Sequence, residues 1–295
     1  MVVVIVTHNS ADVLNDLLLS IPRALDGLSA DVIVVDSAST DGTRLVVGGF
    51  PAYRFIAAAN RGYAAGINAG VSASAAKGPV VVLNPDVRLE TGCLRELMAC
   101  LEDPGVGIAV PRLTNSDGSL APSIRRAPTL LRALGLGFTG APRFAEPVES
   151  PLSHSIPHDI DWATGAVMAI SRGCHEALDG WDETFFLYSE ETDFCLRAAD
   201  AGYRTAFVPS AKGLHIGGQS GASPRIYTMQ IINRVRLYTR RHSAVAAWLF
   251  YSLAVVREGV RSLRGDGDSR AALGALLVPG RRPAEIECSQ WLLPR

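Results

Sequence analysis

The sequence predicts an α/β protein: a sheet flanked by helices, followed by a C-terminal helical extension. Three observations predict it. In the first half, short β-branched runs alternate with amphipathic stretches; polar residues sit directly after those runs; and beyond His215 the sequence turns helical, over Arg225–Arg240 and then Ala244–Arg264.

Val2–Val6, Val32–Val35 and Val80–Leu83 are continuous apolar runs, as expected of strands buried on both faces of a parallel sheet, and Tyr53–Ala57 is a weaker fourth. After the first run, Ser10 is expected to cap a helix whose Val13, Leu14, Leu17, Leu18 and Ile21 form one stripe, with Pro22 ending it. A second helix follows Gly42 and a third runs from about Tyr63 to Ala76. This order implies right-handed crossovers. From about residue 104 the alternation fades, and 111–160, rich in Pro, Gly, Ser and Arg, predicts loops with a hairpin. Order returns as a strand over Ala166–Ile170, a helix over Glu191–Ala201 and a strand over Tyr203–Val208.

Composition narrows the function. At 295 residues and 48% hydrophobic, the chain has length for a real core, which excludes disordered, collagenous and coiled-coil classes. Lys+Arg number 28 against Asp+Glu 29, so there is no broad basic surface for nucleic acid, and a charged ligand must be met locally. Five cysteines, an odd set without a CxxC pair, read as reduced packing thiols. Met1–Val6 is apolar but short and lacks a basic leader, so it reads as a buried strand, and the expected location is cytoplasmic.

Thr7 and Asn9 follow the first strand, Asp36 the second, Asn60 the third, and Asn84 and Asp86 the fourth, along the carboxyl edge where open α/β sheets bind nucleotides. Each motif reads two ways. In Asp36-Ser-Ala-Ser-Thr-Asp41-Gly42, Asp36 can accept from a nucleobase or ribose while Ser39, Asp41 and Gly42 turn into the next helix, or the whole is a plain capped turn. Gly62, Gly66 and Gly70 leave a bare helix face for a ligand or for a strand, and they are not the GxGxxG fingerprint of a dinucleotide oxidoreductase. Leu83-Asn-Pro-Asp86 is a turn, or offers a carboxylate to Mg²⁺ or Mn²⁺. In Phe185–Arg197, Glu190 and Glu191 complement a helix dipole or, desolvated by the aromatic run before them, serve as a general base; Asp193 and Arg197 form an i,i+4 pair. His215 is a structural hydrogen-bonder or completes a metal site.

Together these motifs, with Val4–Ser10, Asn60–Asn68, Pro111-Arg-Leu, Asp117-Gly118 and Trp162–Ala166, resemble the family 2 glycosyltransferases, inverting enzymes of GT-A-like, Rossmann-type fold with a mixed sheet, and within them the rhamnosyltransferase-like branch. The resemblance runs from Val2 to about Gly221. It implies a nucleotide-sugar pocket from Thr7, Asn9, Asp36, Ser39, Asp41, Asn60, Gly62, Gly66, Asn68, Asn84 and Asp86. It implies a metal, Mg²⁺ or Mn²⁺, on Asp86 and His215, a catalytic base at Glu191 with Glu190 or Asp193 in reserve, and an acceptor wall of Trp162, Gly165 and Arg197. Two positions depart from the family pattern: Asn84-Pro-Asp86 carries one carboxylate where the motif has two, and Glu191 stands where Asp is usual.

The resemblance further implies sugar transfer, of rhamnose from dTDP-rhamnose, to a glycan or polyprenyl-diphosphate-linked acceptor in cell-envelope polysaccharide synthesis. A UDP-sugar donor, or a non-catalytic nucleotide-sugar or glycan-binding module, are the alternatives. The expected domains are a transferase domain over 1–221, its nucleotide-binding half about 1–105 and acceptor half about 106–221, and a helical extension over 222–295. Within the extension, Ala244–Val256 is an apolar stretch of 13 residues framed by arginines, too short to span a bilayer. It reads as a helix packed on the domain, as a homodimer interface, or as an interfacial helix in peripheral contact with an anionic membrane.

Overall fold

The computed structural model describes residues 1–217, 223–287 and 292–293. Its first half runs β1 (Val2–Thr7), α1 (Ala11–Leu25), β2 (Asp31–Ser37), α2 (Thr43–Gly48), β3 (Arg54–Ala58), α3 (Tyr63–Ala73), β4 (Val80–Leu83), β5 (Val87–Leu89), α4 (Cys93–Cys100) and β6 (Val106–Thr114). The middle adds β7 (Ile124–Arg125), α5 (Leu130–Ala133), β8 (His158–Ile160), β9 (Trp162–Ala163), β10 (Val167–Ile170), α6 (Arg172–Ala177), α7 (Glu190–Asp200) and β11 (Arg204–His215). The chain closes with α8 (Pro224–Arg241), α9 (Ala244–Leu263), α10 (Gly267–Leu277) and α11 (Ala284–Glu287).

The main sheet has the order β3-β2-β1-β4-β10-β6-β11-β5, with β8 on β11. β3, β2, β1 and β4 are parallel, while β10 inserts antiparallel between β4 and β6. Every residue of β1 is buried because its two faces meet separate cores. Val3 and Ile5 pack with Leu14, Leu17 and Leu18 of α1, and Val4 and Val6 with Ala64 and Ile67 of α3. That is why the first strand reads as an unbroken apolar run. A third core, including Met229, Ile232, Val235, Tyr238 and Phe250, belongs to the C-terminal helices, and Phe186 packs against it.

Several local expectations are corrected. Ser10 gives α1 no side-chain cap; Asp41, from the loop after β2, accepts from the Ala11 amide at 3.0 Å. Pro22 does not end α1, which continues to Leu25 and closes at Asp26 in the left-handed region. A proline has no N–H for the carbonyl four residues back, and that carbonyl, Leu18's, instead accepts from the Tyr53 hydroxyl at 3.2 Å. The third helix stops at Ala73. β11 runs past Val208 to His215, through a register shift between Val208 and Lys212 where Pro209 cannot donate to the ladder. In 111–160 the predicted loops carry a tight turn, with Thr114 bridged to Leu120 around Gly118 at φ 81°. Cys93, Cys100, Cys174 and Cys195 are free thiols, burial pushing Cys93 and Cys195 up to about 12. Cys288 and the 221/222 boundary lie outside the described residues.

Candidate active site

The carboxyl ends of β1, β2 and β4 open into a cleft of about 1580 Å³. Small-molecule pockets hold roughly 300–1,000 Å³, so this one has room for two substrates together. Thr7, Asn60, Gly62, Asn84 and Asp86 line it, joined by His8 and Ser37, which the motif reading did not single out. His8 Nδ1 is 2.7 Å from the Ser37 carbonyl, so the loops after β1 and β2 are tied at the cleft wall.

Asn9, Asp36, Ser39 and Asp41 do not line the cleft; they build the turn behind it. The buried Asp36 carboxylate accepts from the Thr7 hydroxyl at 3.0 Å, the Ser39 hydroxyl at 2.5 Å and the Ser39 amide at 3.2 Å. Asn9, at φ 51°, accepts from the Thr40 amide at 2.8 Å. Around Asp41, burial opposes ionisation, but hydrogen bonds from Thr43 and the Ala11 amide outweigh it and hold the carboxyl below its ordinary value.

The glycine repeat divides. A Cβ on Gly66 would lie 2.6 Å from Val6 Cγ1, and one on Gly70 2.5 Å from Val4 Cγ1, so these two let α3 settle on the sheet and do not face a ligand. Gly62 does line the cleft. Asn68 turns away from it, accepting from the Trp181 amide at 3.0 Å and donating to the Trp181 carbonyl at 2.9 Å and to Glu183 at 3.0 Å.

Asp86 and His215, far apart in the chain, are joined by register. β5 pairs antiparallel with the end of β11, His215 opposite Val87, and the Ile216 amide donates to the Asp86 carbonyl at 3.0 Å. His215 Nε2 then stands 3.3 Å from Asp86 Oδ1, and both side chains line the cleft. Among the described residues there is no group of three or more His, Cys, Asp or Glu able to hold a metal. The chain thus offers one carboxylate and one imidazole, a donor set that suits a hard divalent ion whose remaining ligands are diphosphate oxygens and water.

The acidic segment lines the same cleft as this pair. Tyr188 and Ser189 both adopt positive φ, 67° and 76°, a conformation that non-glycine residues hold only when the surroundings enforce it. The kink delivers Glu190 and Glu191 into the cleft at the start of α7. One oxygen of each, Oε2, is buried without a hydrogen-bond partner. Burial, then the neighbouring Glu191 carboxylate, pushes Glu190 well above the ordinary carboxyl range. Burial also raises Glu191, against the opposing pull of Arg125. Tyr63 lies among these groups: its hydroxyl donates to Asn84 Oδ1 at 2.6 Å, and burial with the charges of Glu190, Glu191 and Asp86 drives its pKa far up.

Gly165 completes the wall, since a Cβ there would lie 3.5 Å from the Tyr63 ring and 3.6 Å from Glu191 Cβ. Trp162 donates through Nε1 to the Arg126 carbonyl at 2.8 Å, and the β7–β9 pairing sets Arg125 beside it, the guanidinium 5.9 Å from the ring centroid. Asp193 and Arg197 are corrected. They pair at 2.6 Å, and Arg197 also donates to the carbonyls of Leu178 and Gly180, at 2.9 and 3.2 Å, away from the cleft. Asp193 is engaged as its partner, and Arg197 is no acceptor wall.

The motif reading also missed a clamp from α8. Asn233, fully buried, donates to the carbonyls of Leu187 at 2.9 Å and Tyr188 at 3.2 Å. Arg236, 2% exposed, donates to Asn233 Oδ1 at 2.7 Å and to the Thr184 carbonyl at 3.2 Å, and stacks on Phe185 at 5.1 Å. The signal was present: two polar residues spaced i,i+3 among the apolar positions Met229, Ile232 and Val235.

The comparisons assign this fold to the glycosyltransferase class. Residues 2–152 match the family described as Glycosyl transferase family 2, and residues 80–230 match Glycosyl transferase family group 2. The chain belongs to glycosyl transferase family 2, and its activity is glycosyl transfer. It is 31% identical over 238 residues to the N-acetylglucosaminyl-diphospho-decaprenol L-rhamnosyltransferase of Mycobacterium tuberculosis, covering 72% of this chain and 75% of that one. In structure it is similar to GalNAc-T7, solved with UDP, GalNAc and Mn²⁺ (TM-score 0.61, 15% identity, 87% of this chain and 50% of that one). It is also similar to the mannosyltransferase PcManGT from Pyrobaculum calidifontis, solved with GDP-Man and Mn²⁺ (TM-score 0.55, 18% identity, 97% of this chain and 83% of that one). These likenesses carry the GT-A-like fold. Among the described residues no helix is long and apolar enough to cross a membrane.

Proposed function

We propose that the chain is an inverting glycosyltransferase that moves rhamnose from dTDP-rhamnose to a lipid-linked or glycan acceptor in cell-envelope polysaccharide synthesis, with Glu191 as base and a divalent ion on Asp86 and His215. One observation carries the reading: the Asp86–His215 pair and the unpartnered Glu190 and Glu191 oxygens line the same cleft. The choice of sugar and of acceptor class is supported by what the mycobacterial relative's name states of that protein.

An acceptor hydroxyl titrates far above neutrality and needs its proton taken as it attacks the anomeric carbon, which a positioned carboxylate does for roughly 10²–10⁴-fold in rate. Glu191 is suited to this because its raised pKa brings its basicity closer to the working pH. Glu190, more deeply enclosed, is the poorer base because it resists ionising. A bound divalent ion supplies Lewis-acid stabilisation of the charge that develops on the departing diphosphate. Thr7, His8 and Asn60 bound the nucleotide end of the cleft, Trp162 and Gly165 the acceptor end, and the Tyr63 hydroxyl fixes Asn84 beside the carboxylates. A single displacement across such a cleft inverts the sugar carbon.

The test incubates the full chain and Mn²⁺ or Mg²⁺ with dTDP-rhamnose, or with UDP-sugars, and a water-soluble acceptor. The reading expects release of nucleoside diphosphate, an inverted linkage by NMR, and loss of both with EDTA or in Asp86→Ala. Release of nothing would make the chain a binding module, and turnover untouched by EDTA would remove the metal.

A further inference from the structure

The C-terminal helices build part of the lining of the cleft. Arg257, Arg261 and Arg264, spaced i, i+4 and i+7 along α9 and its end, all line it, and Arg225 of α8 joins them. Acids neutralise only part of this charge. Arg225 pairs with Glu285, and Arg261 lies 2.7 Å from Asp266 and donates to the Tyr227 hydroxyl at 2.9 Å. Arg257 approaches Glu258 only to 3.6 Å, and Arg264 has no acid partner among the described residues. Four arginines thus meet three acids, and the Arg264 charge is in surplus, on the same side of α9 as Arg257 and Arg261 and lining the cleft.

The same helix carries a second anomaly. Val245, Trp248, Leu249, Val256, Val260 and Leu263 are exposed and fall on one stripe, Leu263 at 90%, with Ser252 its polar side chain and no charge anywhere along it. A helix face that meets only water normally carries charge. Here an apolar stripe runs beside a cationic row, the combination that suits an anion presented from a lipid surface.

We propose that this part of the cleft binds the diphosphate of an isoprenoid-linked acceptor at a bilayer, the arginines of α9 holding the anion while the uncharged stripe of α9 meets the lipid. Guanidinium forks match phosphate oxygens in pairs, and a row of three arginines along one helix and its end, one of them without an acid, suits the several oxygens of a diphosphate. A free diphosphate leaves the stripe uncovered, and a second copy of this chain on the stripe leaves the arginines uncompensated. The proposal rests on the glycosyl-transfer reading only for the sugar at the far end of the ligand.

The experiment measures binding of the full chain, without donor, to phosphatidylcholine vesicles doped with farnesyl diphosphate, against plain vesicles, phosphatidylglycerol vesicles and inorganic diphosphate. The native chain is expected to bind the farnesyl-diphosphate vesicles preferentially. Arg264→Gln, an exposed change that leaves folding intact, is expected to weaken this about fivefold, and Arg257→Gln with Arg264→Gln about 25-fold. Val256→Asp is expected to lower vesicle binding while leaving inorganic diphosphate binding unchanged. Equal binding by the double variant, equal binding to phosphatidylglycerol vesicles, or a chain that is dimeric through α9 and ignores vesicles would each overturn the site. Nucleoside diphosphate release onto a water-soluble acceptor is read separately. Its failure alongside arginine-dependent vesicle binding would sink the transfer reading and support this site.

Discussion

Gly62 and Phe186 meet backbone to backbone: a Cβ on Gly62 would lie 2.2 Å from the Phe186 carbonyl oxygen, and that oxygen accepts from the Tyr63 amide at 2.9 Å. The contact joins the start of α3, where Gly62 and Tyr63 line the cleft, to the segment that carries the acids. Gly62 also sits at φ +96°, outside the range of a side chain. Gly62→Ala is therefore expected to cost about 1–3 kcal/mol of stability and to weaken donor binding and turnover together. Thermal melts with and without nucleotide sugar check it, and a variant with unchanged melting and binding would show the junction to be dispensable.

Arg125 pulls the Glu191 pKa down while burial pushes it up, with burial the larger effect. A base works only when ionised, so activity should fall as the pH drops through this raised value, on an acid limb above that of an exposed glutamate. Arg125→Gln removes the opposing cation and should move the limb to still higher pH. A pH–rate profile of the two proteins under saturating donor reads the shift; a limb that stays put would disconnect the two residues.

Glu190 gives a stability prediction. Its folded pKa is raised, so its contribution to folding is complete below the ordinary glutamate value and is lost as the pH rises through the folded one. Glu190→Gln, neutral throughout, should therefore raise the melting temperature at neutral and alkaline pH and change little near pH 4. The check is melting temperature against pH, and a lower melting temperature at neutral pH would contradict the sign.

Asn233 and Arg236 hold the strained Tyr188–Ser189 backbone from behind. Asn233→Leu removes the donor to two carbonyls and the acceptor of a buried guanidinium, at about 1–3 kcal/mol for each group left unsatisfied. It is expected to lower kcat at least tenfold with little change in donor KM, because it displaces the acids and not the nucleotide loops. An equal rise in KM with kcat preserved would argue against a positioning role.

Much of the sheet could be read in the sequence because β1, β2 and β4 are buried on both faces, which leaves unbroken apolar runs. The residues at or just past their carboxyl ends were legible for the same reason: once strand ends are known, Thr7 and Asp86 must share an edge. What stayed hidden depended on partners distant in the chain. Nothing near Pro22 announces that Tyr53 will satisfy the Leu18 carbonyl and let α1 continue. Asp36, Ser39 and Asp41 have the residue types of a ligand pocket, yet their hydrogen bonds are spent on each other and on the neighbouring turn. Arg197 was legible as a partner of Asp193, but which side of α7 faces the cleft is decided by how that helix packs. Asn233 and Arg236 lie in the helical extension, where no motif pointed.

The central claim is that Glu191 takes the acceptor proton opposite the Asp86–His215 pair, and the most direct measurement is single-turnover transfer by Glu191→Gln at saturating donor, with donor affinity measured in parallel. The account predicts donor affinity within about twofold of the native chain and transfer reduced roughly 10²–10⁴-fold. Native-like transfer by Glu191→Gln would contradict it.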